Sequence, residues 1–281
     1  MEATARMGFW SPRRFGQLLL RELVTGYRSL LIAMAAVGAA LIVISLLSSL
    51  GMTIASAHAR ISGDFYLGFF QNLLFIGGFV VTSLAFREIW QNGGGIFYLT
   101  VPGSVFEKFV TKLLVTAVGF GVGVTLFFSL AAAAAEGLSL LIFGIGHGFF
   151  NPLDPRVLRM VLIYIPAQSV VLLGSIWFRK LALVRTVFWV MIFAIAAGII
   201  GAVTARIVLA SHFVWHGAMN ETFKGGWSMN LGQDQLAQIF SPGTAAYAGL
   251  MVFRVIGKVL LWAAAPVLWL AAYFRLREVE V

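Results

Sequence analysis

The feature that most constrains this chain is a series of apolar runs, each long enough to cross a lipid bilayer. The first extends from Ser29 to Leu50, and a helix of about 20 residues crosses a hydrocarbon core of ~30 Å. Hydrophobic residues make up 60% of the chain and charged residues 11%, whereas a soluble domain carries about 25% charged residues. One soluble core cannot hide this much apolar surface, so we expect lipid to be the solvent.

The apolar runs predict an all-α polytopic membrane protein, a single transmembrane domain over residues 1–281. The six predicted spans are 29–56, 65–86, 109–135, 157–178, 186–209 and 246–274. Residues 11–28 carry apolar side chains on one helical face and arginines on the other, which predicts an amphipathic elbow helix in the membrane interface. The sequence leaves open whether 138–146 and 210–258, which includes the predicted outer loop 210–245, contain re-entrant helices.

The distribution of basic residues predicts the orientation of the chain. Six spans place both termini on one side of the membrane, together with the loops after the second and fourth spans. Thirteen of the 20 Lys and Arg residues then lie on that side: Arg6, Arg13, Arg14, Arg21, Arg28, Arg87, Lys108, Lys112, Arg179, Lys180, Arg185, Arg275 and Arg277. The positive-inside rule makes that side cytoplasmic. It also accounts for the net charge of +9, so we expect no nucleic-acid partner.

Motifs for chemistry within the chain are absent from the sequence. No G-x-x-x-x-G-K-[ST] phosphate loop occurs, since Gly257-Lys258 lacks the first glycine and the hydroxyl residue. We therefore predict no ATPase activity of its own, no catalytic residue and no cofactor. The chain has no cysteine. His212 and His216, with Glu221 nearby, keep a zinc site open as an alternative, although no third ligand stands at a diagnostic spacing.

Four polar residues fall in or beside predicted spans, where each costs free energy in lipid. They are the candidates for a substrate path: Gln71, Asn72, Glu136 and Gln168. The alternative is that they form helix–helix hydrogen bonds or lie at the interface. Glu136 with His147, or with the two histidines of the outer loop, would instead suit a membrane-embedded enzyme, and a scaffold protein of the inner membrane is a further alternative.

The loop over residues 87–108 contains a signal for a helix start. Gly93-Gly94-Gly95 is a flexible break and Pro102-Gly103 a turn. Ser104-Val-Phe-Glu107 then matches the S-x-x-E capping box. We therefore predict a helix that begins at Val105 in the cytoplasm and continues into the third span, where it can carry force from a bound partner into the membrane.

Several segments resemble one family of transport proteins. F-R-E-I-W at 86–90, Y-L-T-V-P-G-S at 98–104 and F-E-K-F at 106–109 resemble the first cytoplasmic loop of permease subunits of type-2 ATP-binding-cassette (ABC) exporters, with its "LPxS…EK" segment. L-L-G-S-I-W-F-R-K at 172–180 and Y-F-R-L-R-E-V-E-V at 273–281 are similar to compact bacterial six-helix members. Val101 stands where leucine is usual, a conservative departure.

The resemblance implies a permease subunit without its own catalysis in the bacterial cytoplasmic (inner) membrane. Two copies, as a homodimer or a related heterodimer, would form the pore in membrane lipid, and each would bind a cytoplasmic ATPase subunit that carries ATP and Mg. The resemblance also implies which residues couple the permease to its ATPase. They are Tyr98, Leu99, Val101, Pro102, Ser104, Phe106, Glu107 and Lys108, with Arg14, Arg21 and Arg28 on the elbow helix. The cargo would be amphipathic and exported or laterally extruded, and its identity is beyond the sequence.

Overall fold

The computed structural model describes residues 10–54, 64–90, 100–144, 148–209 and 245–280, which are helical and contain no strand. The helices are α1 (Pro12–Ile54), α2 (Asp64–Asn72), α3 (Gly78–Leu84), α4 (Arg87–Trp90), α5 (Val105–Leu114), α6 (Phe120–Phe143), α7 (Pro155–Trp177), α8 (Ala182–Leu209) and α9 (Ala245–Glu280). π-Helical turns join α2 to α3 at Leu73–Gly77 and α5 to α6 at Val115–Gly119.

Among the described residues, six helical stretches are long and apolar enough to cross a membrane, which confirms the predicted class. They are Arg28–Gly51, Phe65–Leu84, Val105–Phe143, Pro155–Trp177, Ala182–Gly201 and Val255–Val279. Large apolar side chains on their outer faces are exposed in the isolated chain, as at Leu130 (74%) and Leu141 (87%). A chain whose helices are apolar outside as well as inside is suited to lipid, so the protein is an all-α polytopic membrane protein.

The predicted elbow and first span are one continuous helix, α1, of 43 residues. No proline interrupts the sequence between them, and the single Gly26 at that point is tolerated in a helix at a cost of about 1 kcal/mol. In the first part of α1, Leu18 and Leu19 are half-buried, whereas Arg21 and Leu23 are exposed. The backbone hydrogen-bond ladder of α1 therefore continues without a break from the predicted elbow into the first span.

The third span is longer than its apolar pattern predicts. The helical stretch Val105–Phe143 has 39 residues, so the segment from 138 onward, which the sequence left open as re-entrant, continues the spanning helix as far as Phe143. It ends at Gly144, whose φ of 66° is the left-handed conformation that suits a glycine at a helix C-terminus. One helix thus extends from the capped start at Val105 to the opposite end of the span.

The chain divides into two compact units, Met1–Arg185 with Ala265–Val281, and Thr186–Ala264. The first unit contains two buried clusters. One surrounds Phe70, Phe128 and Tyr164, and the other surrounds Phe109 and Leu276. Because lipid tails are as apolar as these side chains, helix association in the bilayer depends on close packing and on hydrogen bonds between helices rather than on removal from water.

At Gly78, α3 and α7 pack closely against each other. A Cβ at this position would lie 2.4 Å from the Tyr164 ring, which is well inside van der Waals contact. Glycine is therefore required here, because only a residue without a side chain lets α7 lie against α3 with the buried tyrosine between them.

The chain turns at residues 151–154, and α7 begins at Pro155. Asp154 is its N-cap, and its carboxylate accepts hydrogen bonds from Arg156 Nη2 at 3.1 Å and from the Arg156 backbone N–H at 2.8 Å. These bonds, first that of the Arg156 side chain and then that of its backbone, lower the pKa of Asp154 from its ordinary value of 3.8. The exposed start of α7 therefore carries a negative charge beside its positive dipole end.

Candidate functional site

The start of α5 has the local geometry that the sequence predicts. Ser104 is the N-cap, with extended backbone, and its hydroxyl accepts a hydrogen bond from the Glu107 N–H at 3.2 Å. Glu107 Oε2 in turn accepts from the Ser104 N–H at 2.9 Å. Both halves of the capping box are present, which confirms that the helix begins at Val105.

The same carboxylate also binds the start of α1. Glu107 Oε1 accepts a hydrogen bond from the Ser11 N–H at 2.6 Å and from Arg14 Nη2 at 3.3 Å, and its side chain is fully buried. We call Ser11, Arg14, Ser104 and Glu107 the Glu107 clamp. Because one anion accepts from both helix N-termini, the starts of α1 and α5 are held together at a corner that is favourable for negative charge.

A second ion pair joins the same two helices further along each of them. Lys112 Nζ lies 2.5 Å from Glu22 Oε1 and 3.9 Å from Glu88 Oε1, and only 8% of the lysine side chain is exposed. The cavity beside these residues, which Arg21 and Val101 also line, has a volume of about 30 Å³. This is enough for one or two waters and far below what an organic substrate needs.

Aromatic rings connect this corner to the C-terminal helix α9. The ring of Phe106 lies 6.0 Å from that of Trp10 and 6.0 Å from that of Tyr273. Phe109 lies 5.8 Å from the same tyrosine. Edge-to-face pairs of this kind contribute about 0.5–1.5 kcal/mol each beyond the area they bury, so α1, α5 and α9 form one packed end of the first unit.

The predicted coupling residues divide into an accessible group and an internal group. Pro102 and Arg21 are exposed. Val101, Ser104, Phe106 and Arg14 are half-buried, whereas Glu107 and Lys108 are 0% and 7% exposed. Tyr98 and Leu99 lie outside the described residues. The structure places the Glu107 and Lys108 side chains inside the chain, where Glu107 braces the turn, and leaves Pro102 accessible in the turn that precedes them.

The four substrate-path candidates do not form one site in the described structure. Gln71 and Asn72 are exposed on α2. Glu136 and Gln168 are buried, at 2% and 0% exposure, and their hydrogen bonds place them in two different clusters. Glu136 and Gln168 therefore form hydrogen bonds between helices, which is one of the alternatives that the sequence left open.

Glu136 lies in a buried cluster that joins α1, α2 and α6. Its Oε2 accepts a hydrogen bond from the Tyr66 hydroxyl at 3.1 Å, and its Oε1 accepts from the Gly148 N–H at 3.1 Å. Ser45 lies 3.3 Å from that hydroxyl and 3.2 Å from Ser139 Oγ. The sequence carries no signal for these partners of Glu136, since Tyr66 lies 70 positions away in the chain.

Gln168 lies in the second cluster, beside the π-helical turn of the third span. Its Nε2 donates to Thr116 Oγ1 at 2.9 Å, and the Tyr164 hydroxyl donates to the Thr116 carbonyl at 2.8 Å. A π-turn frees a carbonyl from the regular helix ladder, and here a side chain from α7 supplies the missing donor. The cluster fixes α7 against the third span.

The described residues contain no group of three or more His, Asp or Glu side chains that could hold a metal ion. The enzyme and zinc alternatives depend on His147, His212, His216 and Glu221, which lie outside the described residues.

The arrangement of spans, clamp and buried clusters defines a polytopic helical membrane protein whose polar groups hold helices together. No protein-family model, no curated protein and no solved structure matches the chain.

Proposed function

We propose that the chain is the membrane-spanning permease subunit of an ATP-driven ABC exporter, and that a separate cytoplasmic ATPase subunit binds the turn at residues 100–104. The observation that carries this proposal is the Glu107 clamp at the start of an unbroken helical stretch, Val105–Phe143. A partner that presses on this turn acts on the start of a spanning helix rather than on a flexible loop. The resemblance of residues 86–109 to the coupling loop of these permeases supports the same partner.

The clamp gives the proposal a mechanism. The 39-residue stretch is about 58 Å long at 1.5 Å per residue, so displacement of its start moves the whole span. Glu107 binds Ser11 and Arg14, and α1 therefore moves with it. ATP binding and hydrolysis with Mg on the partner would supply the work, and two permease copies would open a path for an amphipathic substrate.

The distribution of Lys and Arg supports the orientation that the proposal needs. Thirteen of 20 lie on the side of the termini, and the positive-inside rule makes this the cytoplasmic side. The turn at residues 100–104 would then face the compartment that holds ATP. We place the protein in the bacterial inner membrane with both termini in the cytoplasm.

Crosslinking from single cysteines tests the docking surface, because the chain has no native cysteine. The P102C variant carries a thiol on the exposed turn, and the matched control L153C carries one at a 74% exposed position in the loop after the third span, on the opposite side. Each is co-expressed with the ABC ATPase subunit that we expect to be encoded beside this chain, and treated with a thiol-to-amine crosslinker. We expect a crosslinked product from P102C alone.

The proposal also predicts activity in the complex. ATP hydrolysis should require both subunits and should fall when Pro102→Arg places a bulky charge on the contact surface. If the two proteins form a stable complex in which P102C and L153C crosslink equally, or if Pro102→Arg leaves both complex and hydrolysis unchanged, the docking surface is not at this turn.

A further inference from the structure

A cavity lined by basic side chains lies in the first unit, apart from the Glu107 clamp. This cavity, of about 550 Å³, opens where the end of the second span, the end of the fourth span and the start of α8 meet. Arg87, Arg179 and Lys180 line it, and no acidic side chain occurs among its described lining residues. Its volume is within the range of small-ligand sites, and its side-chain charge is +3.

The three cations are available to a ligand. All three are exposed, and within the described chain none of them forms an ion pair. Arg179 Cζ lies 5.0 Å from the ring centroid of Trp90, so the guanidinium is positioned against the aromatic wall of the cavity. Like charges that are gathered without an anion repel one another, which an anionic ligand would relieve.

Trp90 supplies an independent sign of a missing partner. It lines the cavity, and its Nε1 is buried without a hydrogen-bond acceptor among the described residues. A buried indole N–H normally has an acceptor. The first turn of α8, which begins at Ala182, also lines the cavity and adds the positive end of its dipole.

Most of the remaining wall is apolar and continues into the spans, and the hydroxyls of its two serines, Ser83 and Ser175, donate to backbone carbonyls of their own helices. Leu84, Leu183 and Val184 line the cavity, and Leu84 and Val184 are 48% and 62% exposed on helices that cross the bilayer. A small soluble anion would make no favourable contact with these apolar side chains, whereas an acyl chain would pack against them. Cations at the interface with apolar residues just below them are the arrangement that recognises an anionic lipid headgroup.

We infer that this cavity binds the phosphate headgroup of an anionic membrane lipid, with its acyl chains along the apolar wall. Arg87, Arg179 and Lys180 contact the phosphate, and the Trp90 N–H donates to a headgroup oxygen. The inference does not depend on the proposed transport function, because any multi-pass protein with this cavity would bind such a lipid.

Native mass spectrometry of the full chain in mild detergent tests the inference. Phosphatidylglycerol and phosphatidylcholine of equal chain length are added to the wild type and to the R179Q/K180Q variant. The matched control, Arg159→Gln, removes an exposed cation near the start of α7, whereas Arg179 and Lys180 follow the end of this helix. We expect the wild type and the control to retain phosphatidylglycerol preferentially, and the double variant to bind it about fivefold more weakly for each cation removed.

Three results would overturn the inference. The first is an equal preference for phosphatidylglycerol in the double variant and the control. The second is binding of sn-glycerol 3-phosphate at least as tight as that of the lipid, which would make the cavity a site for a soluble anion. The third is loss of a co-purifying protein from the double variant with lipid preference unchanged, which would make the cavity a protein interface.

Discussion

Replacing Glu107 with glutamine tests the central structural claim, that one carboxylate holds two helix starts together. In the native chain its two oxygens accept from the Ser11 N–H, the Arg14 guanidinium and the Ser104 N–H. Glutamine has nearly the same shape but offers a single acceptor oxygen, and its amide nitrogen only donates. Whichever way the amide turns, a donor at one of the two helix starts faces another donor.

The cost of E107Q follows from these contacts. One backbone N–H loses its acceptor at a fully buried site, which costs about 1–3 kcal/mol. The bond from Arg14 loses its charge assistance, which adds roughly 1 kcal/mol because charged hydrogen bonds are about twice as strong as neutral ones. We expect a loss of about 2–4 kcal/mol in the free energy of unfolding, concentrated at the starts of α1 and α5.

The same substitution at Glu278 is the control. Glu278 pairs with Arg275 at 2.6 Å, but 64% of its side chain is exposed, and exposed pairs contribute about 0–1 kcal/mol. Thermal unfolding of both variants is followed by tryptophan fluorescence in one detergent, and amide hydrogen exchange is measured in peptides covering residues 10–20 and 100–112. E107Q should unfold at the lower temperature and exchange faster in both peptides. If E107Q and E278Q behave alike in both measurements, Glu107 does not hold the starts of α1 and α5 together.

Three further changes have defined outcomes. Gly78→Ala should cost about 1–3 kcal/mol because the added methyl overlaps a buried tyrosine ring, while Gly123→Ala, which meets open space, should leave the unfolding temperature unchanged or slightly raised; equal behaviour would refute the close approach. Tyr66→Phe removes a donor from buried Glu136 and should cost about 1–3 kcal/mol, and an unchanged unfolding temperature would show that the hydroxyl is dispensable. Asp154→Asn keeps the cap but removes the charge. Because the folded-state pKa of Asp154 is lowered, its ionised form stabilises the fold above pH 3.8, and the stability difference between wild type and variant should shrink as pH falls below that value; a difference that grows would contradict the sign.

Features that depend on neighbouring residues could be predicted from the sequence. Ser104 and Glu107 are three positions apart, and a helix start brings such residues together whatever surrounds them. The spans follow from length and hydropathy, since lipid demands that each backbone group bonds within its own helix. The predicted third span ended at residue 135, whereas the helix continues to Phe143. A polar residue such as Glu136 resembles a span boundary in a hydropathy pattern, but this side chain is buried among helices.

Features that depend on distant residues could not be predicted. Glu107 Oε1 accepts from a residue 96 positions away, and the pattern of a capping box is complete without it, so nothing in the sequence distinguishes a braced carboxylate from an exposed one. The same holds for the basic cavity, whose cations come from segments about 90 positions apart and look like ordinary loop charges when read one loop at a time.

The sequence by itself therefore determined that the protein lies in a membrane, that it is helical, and where its spans and one helix start lie. Each of these features follows from hydrogen bonding and hydropathy within a single segment. Only the tertiary structure decided that Glu107 acts inside the chain, that Glu136 and Gln168 hold helices together, and that Arg87 shares a cavity with Arg179. These assignments depend on which helices pack side by side, and in lipid that choice is made by small steric and hydrogen-bond differences that hydropathy does not record.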